Sequence, residues 1–301
     1  MWLPYPDAVE RMGGVPEGVE VEVYDGDDEP PGSIGDVEFY VPPYTFALHT
    51  VELIPRMPGL RVVQTLTAGV EHVRPYVGAG VTLCNARGVH DASTAELAVT
   101  LTLASLRAIP KFVRAQQTGE WHAGFYDALA DRTVLIVGYG SVGATVERRL
   151  AGFEVQVLRA ARAARDGVHG LDALPELLPR ADVVVLCVPA TPHTHGMVDA
   201  GFLARMKDGA LLVNVARGPV VDTAALLAEC ERGRLLAGLD VTDPEPLPPG
   251  HPLWRAPGVL ISPHVGGSSS AFLPRAMRLM RDQLRRYAAG EPLANVITQT
   301  Y

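Results

Sequence analysis

A glycine-rich turn near the middle of the chain constrains the fold more than any other stretch. Residues 134–137 are an apolar run, and Gly138 to Gly143 follow with the spacing G-x-G-x-x-G. The run predicts a buried parallel strand, and the glycines predict a tight turn into a helix whose first N–H groups can hold a pyrophosphate. Residues 144–151 favour that helix, and residues 153–158 predict the next strand. We therefore predict a dinucleotide site. The alternative is that the glycines are needed only for close packing in the turn.

Composition narrows the class of protein. The chain has 301 residues, 48% of them hydrophobic and 20% charged, which is enough for two ordinary globular domains. A formal net charge of −8 argues against a general nucleic-acid or membrane-surface binder. The longest mostly apolar window, residues 97–106, is shorter than the roughly 18 residues that a membrane span needs. With no visible secretory signal and three cysteines without CxxC spacing, we expect a cytoplasmic protein without disulfides or structural zinc.

Short apolar runs alternate with helical stretches on both sides of the glycine-rich turn, which predicts α/β domains with parallel sheets. The further predicted strands are residues 19–24, 37–41, 60–66, 81–85, 181–188, 210–214, 235–240 and 259–261. The further predicted helices are residues 44–54, 92–109, 199–206, 223–232 and 270–289. Pro110 should end or kink the long apolar helix, and residues 111–131 read as a polar loop.

Three polar residues follow predicted strands of the glycine-turn domain. In a doubly wound sheet the ligand lies beyond the carboxyl ends of the strands, so Arg217, Glu245 and His264 are the candidates for chemistry. Each also has a simpler interpretation, as a surface arginine, a solvated glutamate and a loop histidine. His72 and His122 could approach a substrate but have no partner set.

The chain resembles the D-isomer-specific 2-hydroxyacid dehydrogenases along nearly its whole length. The segments that carry the resemblance are Thr67-Ala68-Gly69-Val70, Thr94-Ala95-Glu96, Gly138 to Gly143, Val188 to Thr194, Asn214 to Gly218, Gly238 to Val241 through Glu245-Pro246, and Ser262 to Gly267. The family has an arginine, a glutamate and a histidine as its catalytic set, and these fall on Arg217, Glu245 and His264.

The resemblance implies two doubly wound parallel-sheet domains, with a Rossmann cofactor domain inserted in a flavodoxin-like substrate domain. We place the substrate domain at residues 1–92 and 272–301 and the dinucleotide-binding domain at residues 93–271. The substrate carboxylate is then expected at the backbone of Ala68 and Gly69. The expected cofactor contacts are Thr94, Gly138, Tyr139, Gly140, Ser141, Val142, Gly143, Val188, Pro189, Thr194, Val215, Ala216, Asp240, Gly266 and Gly267. For Thr94 and Thr194, ordinary capping or turn roles are the alternative.

The residue types suit hydride transfer between a nicotinamide and a small 2-keto acid. The guanidinium of Arg217 can hold the substrate carboxylate and polarise the carbonyl. His264 can deliver the proton as general acid, and Glu245 would favour its protonated form. This chemistry requires no metal. The predicted activity is reduction of glyoxylate- or hydroxypyruvate-type acids to D-2-hydroxy acids.

The end of the strand after the glycine turn indicates which cofactor is used. An NAD site places a carboxylate there, about 20 residues after the first glycine, to bind the ribose hydroxyls. Counting from Gly138 puts Arg159 at that place, and Arg162 follows. Two guanidiniums can bind a 2′-phosphate, so we predict NADP(H) as preferred, with NAD(H) possible. The alternative is that both arginines are solvated, like Arg165 beside them.

Other readings of the chain remain open at this point. A dinucleotide-sensing interaction protein is the main alternative, because transcriptional corepressors are similar to this family in fold and cofactor site. A formate dehydrogenase is less favoured, since that branch has glutamine where Glu245 stands. We predict a homodimer from the aromatic-bearing loop at residues 119–125 and the long apolar helix beside it. The usual opening strand looks nearly absent because Pro4 follows Leu3, which could trim or open the substrate domain.

Overall fold

The computed structural model describes residues 1–45 and 47–298 of the chain. Contacts divide it into two compact units. The first unit combines Met1–His90 with the chain from Ser270 onward, and the second unit is Asp91–Ser269. Within the described residues, no helix is long and apolar enough to cross a membrane.

Strands and helices alternate along most of the described chain. The strands, in chain order, are β1 (Trp2–Leu3), β2 (Glu22–Val23), β3 (Phe39–Tyr40), β4 (Val62–Gln64), β5 (Thr82–Cys84), β6 (Thr133–Val137), β7 (Gln156–Ala161), β8 (His169–Gly170), β9 (Val183–Leu186), β10 (Leu211–Asn214), β11 (Leu236–Leu239) and β12 (Val259–Ile261). The α-helices are α1 (Ala8–Met12), α2 (His49–Glu52), α3 (Asp91–Leu106), α4 (Ile109–Thr118), α5 (Ser141–Leu150), α6 (Leu174–Leu177), α7 (Ala200–Arg205), α8 (Thr223–Glu231) and α9 (Phe272–Ala288). Short 3₁₀ helices cover Gly32–Asp36, Ile54–Arg56, Arg74–Tyr76, Leu171–Ala173, Leu178–Arg180, Gly218–Val220 and Pro252–Trp254.

The first unit contains a five-stranded parallel sheet in the order β2-β1-β3-β4-β5. This is the flavodoxin-like order predicted for the substrate domain. The opening strand is only two residues long, yet it lies between β2 and β3, and Trp2 and Leu3 are almost completely buried. The expectation of a trimmed sheet is therefore wrong, because two buried apolar residues suffice to pair on both sides. The predicted helix at residues 44–54 shrinks to α2 and a 3₁₀ turn, and its position 46 lies outside the described residues.

A buried pair of amides joins the two segments of the first unit. Gln283 on α9 donates from Nε2 to Oε1 of Gln64 at 2.6 Å and to the Ala294 carbonyl at 2.9 Å. Its Oε1 accepts from the Ala294 N–H at 2.9 Å. Both glutamines are fully buried, so α9 is fixed to β4 by polar groups that have no water to replace their partners.

The second unit contains a seven-stranded parallel sheet in the order β12-β11-β10-β9-β6-β7-β8. This is the doubly wound arrangement predicted from the glycine turn, with the first strand, β6, at the point where the strand order reverses. The strands β6, β9 and β10 are buried on both faces, which explains why they read as continuous apolar runs. Strand β8 was not predicted, since two residues carry too little pattern.

Two further regions, both in the second unit, differ from the sequence predictions. The long helix α3 ends at Leu106, Ala108 takes a left-handed conformation, and α4 begins at Ile109 with Pro110 in its first turn. Proline is tolerated there because the first N–H groups of a helix have no intrahelical partner. The predicted polar loop at residues 111–131 thus begins as a helix. Strand β7 begins three residues later than predicted and ends at Ala161, which places Arg159 within the strand.

Candidate active site

The predicted catalytic residues all follow neighbouring strands at one edge of the second unit's sheet. Strands β10, β11 and β12 are adjacent and in register, with Asn214 opposite Leu239 and Leu239 opposite Ile261. Parallel strands lie about 4.8 Å apart, so the chain leaves all three at the same edge. Arg217, Glu245 and His264 lie in the segments that follow, as the sequence predicts.

The turn that carries Arg217 is fixed by a buried asparagine. Asn214 accepts from the Ala216 N–H at 3.0 Å and donates to the Arg217 carbonyl at 3.1 Å. A Cβ on Gly218 would come within 1.8 Å of the Thr242 carbonyl oxygen, so only glycine fits. The half-buried guanidinium donates to the Ala216 carbonyl at 2.7 Å and forms no ion pair with any residue in the described part of the chain. Its remaining donors suit a planar carboxylate.

His264 and Glu245 form a hydrogen-bonded pair. Nδ1 of His264 bonds to Oε1 of Glu245, while the side chains remain 27% and 36% exposed. A carboxylate at Nδ1 fixes the tautomer and the orientation of the ring, so Nε2 is the nitrogen that would exchange a proton with a substrate. The backbone of His264 has a φ of +53°, a left-handed conformation uncommon for residues other than glycine, so the loop around it must hold it there.

Asp240 organises that loop. Its carboxylate is almost fully buried and accepts from the Ser262 hydroxyl at 2.7 Å, the Val265 N–H at 2.9 Å and the Gly266 N–H at 2.8 Å. Its backbone carbonyl accepts from the His264 N–H at 2.8 Å. The family resemblance assigns Asp240 to the nicotinamide amide, which stays a prediction, and the structure adds that its carboxylate binds residues on both sides of His264. Sequence reasoning missed Ser262 as a hydrogen-bond partner of Asp240. The only sequence signal for Ser262 is its position two residues before His264.

The three glycines of the turn have different surroundings. Gly138 has a φ of +102°, and a Cβ there would lie 2.5 Å from the Cys187 carbonyl carbon. A Cβ on Gly143 would lie 2.5 Å from the Gly138 carbonyl oxygen, whereas one on Gly140 would meet nothing within 4 Å. The first and third glycines therefore serve packing, and the second leaves open space before the first turn of α5. That arrangement fits a pyrophosphate on the helix N-terminus.

One of the two arginines predicted to bind a 2′-phosphate is already paired with a carboxylate. Arg159 donates from Nε to Oε2 of Glu147 at 2.8 Å and from Nη2 to the other carboxylate oxygen. The Arg159 guanidinium holds the pKa of Glu147 below its ordinary value, and the hydrogen bond to Glu147 raises the pKa of Tyr139. Glu147 gave no sequence signal, because a glutamate on an amphipathic helix reads as a solvated residue.

Arg162, not Arg159, is the first residue after β7, and it is exposed. Arg165 donates to the Tyr139 carbonyl at 2.5 Å, and its guanidinium lies 5.8 Å from the Tyr139 ring centroid. The sequence estimate of where the strand ends was therefore wrong by three residues. The cations beyond the strand are Arg162 and Arg165.

The remaining predicted cofactor residues lie at the same edge of the sheet. Thr194 is buried, donates to the Pro189 carbonyl at 2.6 Å and accepts from the Thr191 N–H at 2.9 Å, so its hydroxyl fixes the loop after β9. Val188 and Pro189 begin that loop, and Val215 and Ala216 follow β10. The Thr94 methyl group would lie 3.5 Å from a Cβ on Gly266. Ser141 and Val142 open α5, and Gly267 follows Gly266.

Cys187, at the end of the same strand region, is a packing residue. Burial raises the pKa of its thiol to about 12, so it is protonated at neutral pH and a poor nucleophile. This agrees with the packing role that its position at a strand end suggests.

Ala68 and Gly69 belong to the first unit, in the loop after β4. Their carbonyls accept from Nδ2 of Asn85 and from the Thr67 hydroxyl, each at 2.7 Å. Their N–H groups make no hydrogen bond to a residue in the described ranges. Two fixed N–H donors side by side can bind a carboxylate, which fits the predicted role.

Comparisons with known proteins agree with this geometry. Residues 99–266 match the family model described as D-isomer specific 2-hydroxyacid dehydrogenase, NAD binding domain. A glyoxylate reductase of Korarchaeum cryptofilum is 32% identical over 262 residues, which cover 82% of this chain and 79% of that protein. The human glyoxylate reductase/hydroxypyruvate reductase is 32% identical over 251 residues, which cover 78% and 76%.

Solved structures are similar over almost the entire length. A D-isomer specific 2-hydroxyacid dehydrogenase from Xanthobacter autotrophicus, in complex with NADPH and MES, is 32% identical with a TM-score of 0.82, and the match covers 97% of this chain and 94% of that one. An NADPH-dependent glyoxylate/hydroxypyruvate reductase from Sinorhizobium meliloti, in complex with NADP and sulfate, is 27% identical with a TM-score of 0.83 and coverage of 98% and 96%.

Proposed function

This chain belongs to the D-isomer specific 2-hydroxyacid dehydrogenase family and is a nicotinamide-dependent oxidoreductase, and we propose that its substrates are small 2-keto acids of the glyoxylate and hydroxypyruvate type. The relatives' names support reduction of such acids and give no support to a corepressor-like interaction protein. The observation that carries the proposal is the His264–Glu245 pair at the same sheet edge as Arg217, whose guanidinium has no carboxylate partner among the described residues.

The proposed roles follow from the chemistry of the side chains. Arg217 binds the carboxylate of the keto acid and draws charge toward the carbonyl oxygen. The bound nicotinamide supplies the hydride that reduces the carbonyl carbon. His264 gives its Nε2 proton to the oxygen that becomes the hydroxyl, and Glu245 stabilises the imidazolium before that transfer. In the reverse direction the neutral imidazole removes the same proton.

Steady-state kinetics test these roles. A panel of glyoxylate, hydroxypyruvate, pyruvate and larger 2-keto acids, each with NADPH and NADH, identifies the best substrate from the absorbance of the reduced nicotinamide. We expect Arg217→Ala and His264→Ala each to lower turnover at least about 100-fold, since general acid catalysis alone contributes that much. His195→Ala serves as the control histidine and should retain turnover. Near wild-type turnover in either catalytic variant would make the assignment wrong.

We also propose that NADPH is preferred over NADH and that Arg162 and Arg165 carry the preference. Both follow β7, where a cofactor's ribose is bound in doubly wound sheets. Arg159 has a different role in this proposal: it binds Glu147, which accepts the hydrogen bond from the Tyr139 hydroxyl and so positions Tyr139 in the glycine-rich turn. We expect Arg162→Ala/Arg165→Ala to raise the KM for NADPH while leaving that for NADH nearly unchanged. A higher kcat/KM with NADH in the wild type, or an unchanged NADPH preference in the double variant, would contradict the proposal.

We further propose a homodimer formed through α4 and the segment after it. Large apolar side chains are exposed there, including Trp121 at 93% and Val113 at 52%, with Phe125 fully exposed. An open pocket of about 560 Å³ beside α4, partly lined by Trp254, could receive such side chains from a second copy. Light scattering should give twice the 32.2 kDa mass of the chain, and Trp121→Ser/Phe125→Ser should shift it toward monomer. A wild-type monomer at micromolar concentration would reject the dimer.

The cytoplasmic location stays a prediction from the sequence. Fractionation of cells that express the untagged chain, followed by detection of the protein, would test it.

A further inference from the structure

A small pocket in the first unit is surrounded by arginines. It has a volume of about 200 Å³ and lies between the loop after β5 and one face of α9. The residues that line it are Arg87, Gly88, Val89, Arg275, Arg278 and Leu279. None of them belongs to the residues proposed above for catalysis or cofactor binding.

The positive charge of this pocket is not neutralised by the protein. Within residues 1–45 and 47–298, Arg87, Arg275 and Arg278 form no ion pair and no side-chain hydrogen bond. Other arginines of the same unit do have carboxylate partners within 4.0 Å, namely Arg11, Arg61, Arg281 and Arg285. Arg56 and Arg74 of this unit also form no ion pair within the described residues, so what distinguishes the pocket is that three arginines without a carboxylate partner line one cavity.

The fold fixes the backbone positions from which these arginine side chains extend. Arg275 and Arg278 are three residues apart on α9, where like charges share a face and destabilise a helix. Arg87 is fixed by its backbone, since its N–H donates to Oδ1 of Asn85 at 3.1 Å and its carbonyl accepts from Nδ2 of Asn295 at 3.0 Å. A repulsive arrangement on a fixed backbone is typical of a binding site, where local rules are broken for function.

We propose that this pocket binds a phosphoryl dianion. Guanidinium groups match the geometry of phosphate oxygens and donate charge-assisted hydrogen bonds to them. Three cations favour a doubly charged group over a single carboxylate, on a chain whose formal net charge is −8. The pocket is smaller than the roughly 300–1,000 Å³ of pockets for drug-sized ligands, so it suits one compact anionic group. Free phosphate and the phosphate of a small ester share this chemistry.

Titration calorimetry tests the proposal with inorganic phosphate and, separately, glycerol 2-phosphate, at constant ionic strength set with chloride. The protein is first saturated with NADPH, because the glycine-rich turn of the second unit is another anion site. We expect one phosphoryl group per chain in the wild type and in Arg281→Gln, a control on the same helix whose partner is Asp282. Arg275→Gln/Arg278→Gln should weaken binding at least about tenfold, since hydrogen bonds to charged groups are worth more than one decade of affinity.

The outcomes separate clearly. Tighter binding of the ester assigns the pocket to a phosphorylated metabolite, and equal or weaker binding assigns it to free phosphate. Equal affinity in the wild type and the double variant, or no phosphate binding to the NADPH-saturated wild type, would overturn the proposal. Arg87→Gln, which leaves α9 unchanged, gives the same test if the double variant fails to fold. Turnover of the best keto acid, measured on the same variants, is expected to persist, so this proposal can fail while the proposed function stands.

Discussion

Replacing Asp240 by asparagine is the sharpest test of how the histidine is held in place. The carboxylate accepts two hydrogen bonds at Oδ1, from Ser262 and Val265, and one at Oδ2, from Gly266. An asparagine has one acceptor oxygen and one NH₂ group. In one orientation the NH₂ faces the Gly266 N–H, and in the other it faces the Val265 N–H. Either way, a backbone donor loses its acceptor and meets another donor; the Gly266 N–H is buried and the Val265 N–H is partly buried.

The expected magnitude follows from that count. A buried N–H left without an acceptor costs about 1–3 kcal/mol. For a domain of the size of the second unit, each kcal/mol lowers Tm by about 2–4 °C, so a loss of about 2 kcal/mol corresponds to roughly 4–8 °C. Because Val265 and Gly266 directly follow His264, the histidine also loses its fixed position, and turnover should fall at least about tenfold.

Thermal melts and steady-state kinetics check this expectation together. Asp208→Asn is the control, since the Asp208 side chain is 88% exposed and its loss should change stability by less than about 0.5 kcal/mol. If Asp240→Asn kept the wild-type Tm and only raised the KM for the cofactor, Asp240 would act on the nicotinamide amide instead. The positioning role argued from the structure would then be refuted.

Further predictions concern packing, burial and pH. Gly138→Ala should lower Tm and abolish cofactor binding, because its Cβ would lie 2.5 Å from a backbone carbonyl carbon, whereas Gly140→Ala, with open space around it, should keep the wild-type Tm. Gln283→Leu should cost about 1–3 kcal/mol in urea unfolding, since it leaves the buried Oε1 of Gln64 and the partly buried backbone groups of Ala294 without their partner; a cost below about 0.5 kcal/mol, on the order expected of a surface change, would contradict the buried network. Arg159 lowers the pKa of Glu147 in the folded protein below the ordinary carboxyl pKa of 4.5. The pair therefore stabilises the fold fully at pH values above 4.5, and this stabilisation is lost as the pH falls through the pKa of Glu147 in the folded state. The Tm difference between wild type and Glu147→Gln should therefore be full at pH 7 and shrink below pH 4.5, and a constant difference down to pH 3 would speak against the pairing.

The sheet edge of the second unit could be predicted because its signals are local. Buried parallel strands appear as apolar runs, and the first polar residues after them must lie at the carboxyl edge. This logic put Arg217 after β10 and His264 after β12, the two strands on either side of β11, and the sheet order confirms their common edge. Their chemical roles stay predictions, since geometry alone does not measure turnover.

The surroundings of these residues could not be predicted, because they depend on contacts distant in sequence. Asp240 meets Gly266 across 26 positions, and no spacing rule links an aspartate after one strand to N–H groups after the next. Arg159 was misplaced because the count assumed that the strand starts at Phe153. Glu154 instead takes a left-handed conformation, with a φ of +56°, and delays the strand. Left-handed residues other than glycine leave little trace in a sequence.

The amide pair between Gln64 and Gln283 has a consequence for how the chain is made. The two residues are 219 positions apart, and the whole second unit is encoded between them. A ribosome adds about 5–20 residues per second, so roughly 10–45 s pass between the synthesis of β4 and the synthesis of α9, the helix that packs against it. During that interval the first unit exposes apolar strand surface to chaperones and proteases. The second unit, by contrast, is fully synthesised before α9. Translation that stops before α9 therefore releases a chain that contains the whole second unit but lacks the helix that completes the core of the first unit, which makes such fragments targets for degradation.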